Sequence, residues 1–285
     1  MRFEDFCRLH GLIVDSVVAG RWVRVPTVDH PRKKNGAYKF MGDVGWCQNH
    51  ATHVDVSCWK PEGDTPNIDT ARIAQQAQEF ERRMVEGWKR SAAKAADLIK
   101  QSRTHEHPYL ARKGFPAVRG LVQPDGALLI PMRHWQTNEV AGAQLIRWLP
   151  EELKFEKKMM PGMRAKGAVF RLGSPKALRT WLVEGFATGL SVEAALGMLN
   201  LRDLVLVCFS AGNLIHVAGV LSGNALVFAD HDESGAGQKA AVATGLPYCM
   251  SSDLGDANDL HQRAGLFAVA GLLMDAIATK EAAMT

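Results

Sequence analysis

No stretch of this 285-residue chain approaches the roughly twenty uninterrupted apolar residues of a membrane-spanning helix. Its first residues, Met1-Arg2-Phe3-Glu4-Asp5-Phe6, lack the charged head and apolar middle of a signal peptide. The expectation is a cytoplasmic protein with no membrane attachment. Cysteine is scarce: the five residues, at positions 7, 47, 58, 208 and 249, form no CxxC pair, and Cys208 and Cys249 lie inside apolar, strand-like runs. That excludes a disulfide framework and predicts reduced, buried thiols. Tyrosine is scarcer still, with three in all, which leaves few candidates for a covalent tyrosine nucleophile. No internal repeat or low-complexity segment stands out, so a solenoid or a disordered chain is not expected.

What is present is enough apolar material, 47% of residues, to bury a real core in two units or more. Net charge is only +4, yet it is unevenly spread. From Lys154 to Lys176 seven basic residues face Glu156 alone, whereas from Asp230 to Asp275 seven acids face only Lys239 and Arg263. A basic lane beside an acidic pocket suits a metal-dependent enzyme acting on a polyanion. Residues 1–66, rich in turns and aromatics, read as a small β-containing module with a capacity for single-stranded DNA. Asn67-Ile68-Asp69 then caps a long linking helix over 67–104, because Ile73, Ala77, Phe80, Met84, Trp88, Ala92, Ala95 and Ile99 recur at helical steps. Residues 105–175 read as short strands and turns in a smaller basic α+β subdomain. From 176 to 285 strands near 180–183, 204–209, 225–229 and 246–250 alternate with helices near 189–199, 213–221, 235–244 and 257–277, the pattern of a mostly parallel α/β sheet with flanking helices.

Two of these strands deliver acids where open α/β sheets place ligands. Thr180-Trp181-Leu182-Val183 ends in Glu184-Gly185, and Ala225-Leu226-Val227-Phe228-Ala229 ends in Asp230-His231-Asp232. On an extended segment Asp230 and Asp232 point to one side and can share a cation. Gly235 and Gly237 permit a tight turn whose free N–H groups can face a phosphate, with Lys239 adding charge on the first helical turn. Asp256, in Gly255-Asp256-Ala257-Asn258-Asp259, is a further cation ligand or a supporting carboxylate, and Asp259 a helix N-terminal acid. His231 and His261 have no spaced partners and read as packed or surface histidines.

Together Glu184-Gly185, Asp230-His231-Asp232 with its trailing glycines, and Asp256-Ala257-Asn258-Asp259 resemble the motifs of the topoisomerase–primase (Toprim) domain. His107 to Phe115 is similar to the segment that opens the catalytic core of DnaG-type primases. Leu129-Ile130-Pro131-Met132-Arg133 and Val140-Ala141-Gly142-Ala143-Gln144 resemble that core's paired strands, and Lys157-Lys158 through Lys166-Gly167 occupies the place of its basic nucleotide-binding segment. The resemblance spans roughly Glu106 to Phe267. It implies a DNA primase of phage- or plasmid-encoded type that makes short RNA primers on single-stranded DNA from ribonucleoside triphosphates. By the same resemblance Glu184, Asp230 and Asp232 are catalytic and bind magnesium or manganese, joined by Asp256. Lys113, Arg147, Lys157, Lys158, Lys166 and Lys239 contact template or nucleotide, Lys113 standing where the family has arginine and so lacking the bidentate fork.

Family members that begin with a zinc ribbon set a further comparison. Cys47, His50, His53 and Cys58 offer ligand types, but the spacing Cys-x2-His-x2-His-x4-Cys is unlike paired knuckles, and the expectation is no zinc. Trp22, Trp46 and Trp59, set among basic residues, suit either base stacking or core packing. Only a helix and tail follow Ala268, so unwinding is expected from a separate helicase or replication protein. The competing readings are strand cleavage by a Toprim nuclease or topoisomerase, and a non-catalytic DNA- or protein-binding module.

Overall fold

A strand covered on both faces has no room for an exposed residue, and Trp181, Leu182 and Val183 are all fully buried. The computed structural model describes residues 1–50, 56–61, 70–174 and 176–282 and puts these three in a central strand. In chain order the elements are α1 (Phe3–Leu9), β1 (Trp22–Val25), β2 (Gly36–Phe40), β3 (Gly45–Asn49), β4 (Ser57–Trp59), α2 (Thr70–Gln101), β5 (Arg103–His105), α3 (Pro108–Arg112), β6 (Gly120–Val122), β7 (Leu128–His134), β8 (Val140–Leu149) and β9 (Lys154–Met159). There follow β10 (Ala168–Gly173), β11 (Arg179–Val183), α4 (Phe186–Met198), β12 (Leu204–Val207), α5 (Ala211–Ala218), β13 (Asn224–Ala229), α6 (Ala236–Thr244), β14 (Tyr248–Met250), α7 (Ala257–Ala264) and α8 (Leu266–Ala282). The chain divides into two compact units, Met1–Glu79 and Phe80–Thr285. The expected cap at 67–69 lies outside the described residues.

In the first unit β1 to β4 form an antiparallel sheet in sequence order. Side chains alternate between its faces. Val23, Tyr38, Cys47 and Trp59 point inward and pack with Phe3, Cys7, Leu12 and Val14. Trp59 is therefore core, and its indole N–H donates to the Met1 carbonyl at 3.0 Å. The next row, Trp22 level with Lys39, Lys39 with Trp46, and Trp46 with Cys58, lies on the other face. Cys47 and Cys58 consequently sit on opposite faces, the first buried and the second exposed; His53 lies outside the described residues.

The second unit is built on a ten-stranded mixed sheet of order β14-β13-β11-β12-β10-β7-β6-β5, with β8 and β9 continuing from β7. The pairs β12-β11, β11-β13 and β13-β14 are parallel. Strand β10 runs antiparallel to both β12 and β7, so the basic and parallel segments share one continuous sheet. Trp181, Val183, Leu226 and Phe228 face Leu190 of α4, Leu260 of α7 and Leu273 of α8. Leu182, Leu206 and Val227 face Leu214 and Val217 of α5 and Ala241 of α6. The later part of α2 lays Ala95, Leu98 and Ile99 on Leu129, Ala143 and Met160. The single helix expected over 257–277 is two: Gly265, at φ +80, closes α7 in a conformation that a side chain would strain, and α8 starts afresh.

At the base of β11 the buried Trp181 indole donates to Asp203 Oδ2 at 3.0 Å, and Arg179 Nε donates to the same oxygen at 2.6 Å. Removing one member of a buried pair strands the other's charge. Asp203→Ala should lower the unfolding free energy by about 3 kcal/mol in urea denaturation; a loss below about 1 kcal/mol would put the pair in the class of exposed bridges.

Candidate active site

Strands β11 and β13 are parallel neighbours with Leu182 level with Val227. Glu184, one residue past β11, and Asp230, one past β13, therefore leave neighbouring strands at the same rim, offset by one residue in register. The next loop is pinned to this rim by its backbone. His231 N–H donates to the Gly255 carbonyl at 3.0 Å, Gly255 N–H returns the bond at 2.8 Å, and His231 Nδ1 lies 3.0 Å from the Ser251 carbonyl. His231 is thus a brace, as its lack of spaced partners predicts. The pinning carries Asp256 to the rim as the N-cap of α7, its Oδ1 accepting from Asn258 N–H at 2.7 Å and Asp259 N–H at 3.0 Å. The Thr188 hydroxyl in the first turn of α4 donates to Asp256 Oδ2 at 2.9 Å, which ties this loop to the Glu184-Gly185 turn.

The electrostatics record the crowding. Burial raises the Asp230 carboxyl to about 7, and Asp256, Glu184, Asp232 and Asp259 push it the same way. Glu184 is raised by burial and then by Asp232. Asp230 Oδ1 is buried without a hydrogen-bond partner. Carboxylates crowded together at a buried rim cannot all ionise freely, and here the cost falls on Asp230.

Asp232 behaves differently. Instead of extending beside Asp230, it turns into the β13–α6 loop and accepts from the Ser234 hydroxyl and from the N–H groups of Ser234 (2.9 Å), Ala236 (3.2 Å) and Gly237 (2.9 Å). These bonds hold its carboxyl well below the usual aspartate range. The N–H groups expected to face a phosphate are therefore already taken, because Gly235 at φ +66 turns the chain back on the aspartate. A Cβ at Gly237 would collide with the Asp230 carbonyl, so the turn admits no side chain there. Lys239 lies exposed on the first turn of α6, 3.4 Å from the Ser234 carbonyl.

Among the described residues no three His, Cys, Asp or Glu side chains form a ready-made metal cage. Glu184, Asp230 and Asp232 share the rim, but Asp232 and Asp256 are committed to backbone and hydroxyl donors. The remaining donors are hard oxygens, and the orphaned Asp230 Oδ1 is an atom that a magnesium- or manganese-like ion would satisfy. The residues present fit such an ion.

Beside the acids a cleft of about 320 Å³ is lined by Tyr109, Arg112, Lys113, Lys154, Phe155 and Lys157. The Lys157 ammonium lies 5.5 Å from the centre of the Tyr109 ring. Desolvation and Lys113 lower its pKa, while Asp256, Asp230 and Asp259 oppose them, so this cation is within electrostatic reach of the rim. Lys113 Nζ is 3.9 Å from Asp259 Oδ1, and its carbonyl accepts from Asn258 Nδ2 at 2.8 Å. His261 packs on Phe115 with ring centres 5.1 Å apart. The other predicted basic residues go elsewhere. Lys158 and Arg147 alternate with Lys157 onto the opposite face of the β8–β9 ribbon, paired with Glu156 at 2.8 Å and Asp125 at 3.1 Å. Lys166 stands beside His216, which burial, Lys166 and Arg164 together hold below its usual pKa.

Tyr109, Arg112, Lys154 and Phe155 also line the cleft, although no sequence motif marks them as site residues. Tyr109 is buried and its hydroxyl has no partner; burial and then Asp256 raise its pKa.

No protein-family model matches the chain. Among solved structures it is similar to the RNA polymerase domain of Mycobacterium tuberculosis primase DnaG, at 18% identity and a TM-score of 0.36, covering 70% of this chain and 65% of that one. It is also similar to that domain in complex with a double-stranded DNA oligomer bearing a 6-nucleotide overhang, at 17% identity and a TM-score of 0.36, covering 68% and 80%. The chain thus spans less than two thirds of the first of these.

The raised Asp230 carboxyl has a thermodynamic consequence. Unfolded, an aspartate ionises near about 3.9; folded, Asp230 ionises at about 7. Between those values the folded state holds the extra proton, so this residue's contribution to stability falls as pH rises and is gone above the upper value. In metal-free buffer Asp230→Asn should be more stable than wild type by about 4 kcal/mol near neutrality and above, with the difference vanishing below about pH 4. Parallel pH–stability profiles for the two proteins would show that the rim does not strain Asp230.

Proposed function

We propose that this chain is a primase: a Toprim nucleotidyltransferase, of the kind carried by mobile elements, that joins ribonucleotides into short primers on single-stranded DNA. The observation that carries the reading is the rim itself, where Glu184 and the buried, strained Asp230 end adjacent parallel strands beside a cleft of lysines. A polymerase of this class must hold a triphosphate against a hydroxyl end, which calls for hard-cation donors next to phosphate-binding cations.

Glu184 and Asp230 would hold magnesium or manganese. Such an ion, when bound, supplies Lewis-acid neutralisation of phosphate oxygens. The chain's own residues do the rest. Lys157 and Lys113 bind the phosphates of the incoming nucleotide, and the Tyr109 ring holds the Lys157 ammonium in place. Asp232 and Gly237 fix the turn that presents Asp230, and Asp256 with Thr188 locks the Glu184 turn against it. Arg112 and Lys154 extend positive charge along the cleft towards the template strand. Unwinding of the template is left to a separate helicase or replication protein.

Strand cleavage through a tyrosine finds little support. Tyr38 and Tyr109 are buried, and the hydroxyl of Tyr248 lies 3.4 Å from Gln238 Nε2 in a half-buried position.

The test is primer synthesis from ribonucleoside triphosphates on single-stranded DNA with magnesium or manganese. Asp230→Ala and Glu184→Gln should each lose about a hundredfold or more in rate. Lys157→Ala should raise the KM for nucleotide about tenfold with a smaller change in kcat. Activity in Asp230→Ala equal to wild type would end the proposal. Nicking of plasmid DNA without nucleotides would favour the nuclease reading instead, and template binding without products the non-catalytic one.

A further inference from the structure

The face of the second unit's sheet that carries α5 and α6 is not covered to its edge. Helix α5 lies over β11 and α6 over β13 and β14, and this cover ends at Leu221, just past α5. Beyond it the floor is made by β12 and β10, where Leu206 is level with Arg171 and Leu204 with Gly173. The turn of the β7–β8 hairpin supplies the far wall through Trp135 and Asn138. Together they line an open cavity of about 560 Å³, within the size range of small-molecule sites. Its walls are apolar apart from Asn138 and one charge, the Arg171 guanidinium, and no acid lines it. It sits at the N-terminal end of β12, away from the strand ends that carry Glu184 and Asp230.

Arg171 is held there but not neutralised. Its Nη1 donates to Asn138 Oδ1 and its Nη2 to the Trp135 carbonyl, both uncharged acceptors. Asn138, at φ +60, is fixed in turn by Arg133, whose Nη1 donates to its carbonyl at 3.0 Å. Neither arginine has a carboxylate within ion-pair distance among the described residues, and Glu139 in the same hairpin accepts from the Thr137 hydroxyl at 3.1 Å. Burial and the Arg133 charge both draw the Arg171 pKa down. A half-buried cation left with dipoles alone is costly, and an anion beside it would offset that cost. Two of the guanidinium's five N–H groups are used in these bonds, and the others remain for a planar carboxylate. One lining cation suits one charge better than a phosphate monoester, which carries nearly two. A bare anion would leave the leucines and the indole without a partner, so the ligand needs an apolar body as well. We infer that this cavity is a binding site for a small amphipathic carboxylate, with its apolar body among Trp135, Leu204, Leu206 and Leu221 and its charge on Arg171. The inference does not depend on what the acid rim does.

The experiment is calorimetric titration of the full chain, in EDTA and without nucleotide, with octanoate as the probe. Octanol supplies the same body without the charge, and acetate the charge without the body. Octanoate should bind at one site, about tenfold or more tightly than either. Arg171→Met, which keeps an apolar stem, should weaken octanoate about tenfold, to the level of octanol, and leave octanol unchanged. Leu221→Glu keeps the arginine and offers it an internal carboxylate; it should weaken octanoate by a similar factor while the far-ultraviolet circular dichroism stays that of wild type. The inference is overturned if octanoate does not bind, if octanol binds as tightly, or if Leu221→Glu binds octanoate as wild type does. Displacement of octanoate by a ribonucleoside triphosphate would put it in the Lys157 cleft and overturn the inference as well.

Discussion

Repulsion among carboxylates at the end of a parallel sheet is the constraint around which the second unit is organised. Adjacent parallel strands bring Glu184 and Asp230 to one rim whatever the residues prefer, and the His231–Gly255 backbone bridge brings Asp256 and Asp259 to the same place. Left alone, such a cluster would push its members towards solvent. Here the sheet is covered on both faces, so the strand ends cannot move, and the cost is absorbed locally. Asp232 and Asp256 are satisfied by N–H and hydroxyl donors; Asp230, with a buried and partnerless oxygen, is not. An unsatisfied buried acid in an otherwise well-bonded loop system is what makes Asp230 the candidate for the proposed cation.

The basic side of the site follows from the same sheet. Because β10 joins the β5–β9 region to the parallel strands, β9 is fixed relative to the acid rim, and its alternation decides which lysine faces it. Lys157 is turned towards Tyr109 and the acids, and Lys158 is turned away to Glu156. The contact of α3 with α7, through Lys113, Asn258 and the Phe115–His261 stack, closes the other wall. The cleft is therefore set by strand register and one helix contact.

The legible part of this site in the sequence was the part encoded by runs of residues. Trp181-Leu182-Val183 and Leu226-Val227-Phe228 announced buried strands, and the acids directly after them had to lie at a sheet rim. The role of Asp232 was not legible, because the alternation argument holds only while the chain stays extended, and Gly235 in the left-handed region ends that at once. Tyr109 is not legible as a lining residue, because nothing near it in sequence shows that Lys157 of β9 will lie over its ring. Lys157 and Lys158 look alike as a pair, and only pairing with β8 separates them. Gly265 breaks a helical pattern that hydrophobic spacing alone would continue across. Trp22, Trp46 and Trp59 were equivalent candidates until the register put the first two on the open face and the third inside.

The proposed cation site stands or falls with Asp230. Carboxyl carbon NMR of the aspartates, titrated with and without magnesium, tests it most directly. One aspartate should ionise close to neutrality in the metal-free protein, vanish in Asp230→Asn, and move to markedly lower pH when magnesium is added, with Glu184→Gln weakening that response. If every aspartate titrates in the ordinary acidic range, or if magnesium leaves the Asp230 resonance and its midpoint where they were, the rim is not a cation site.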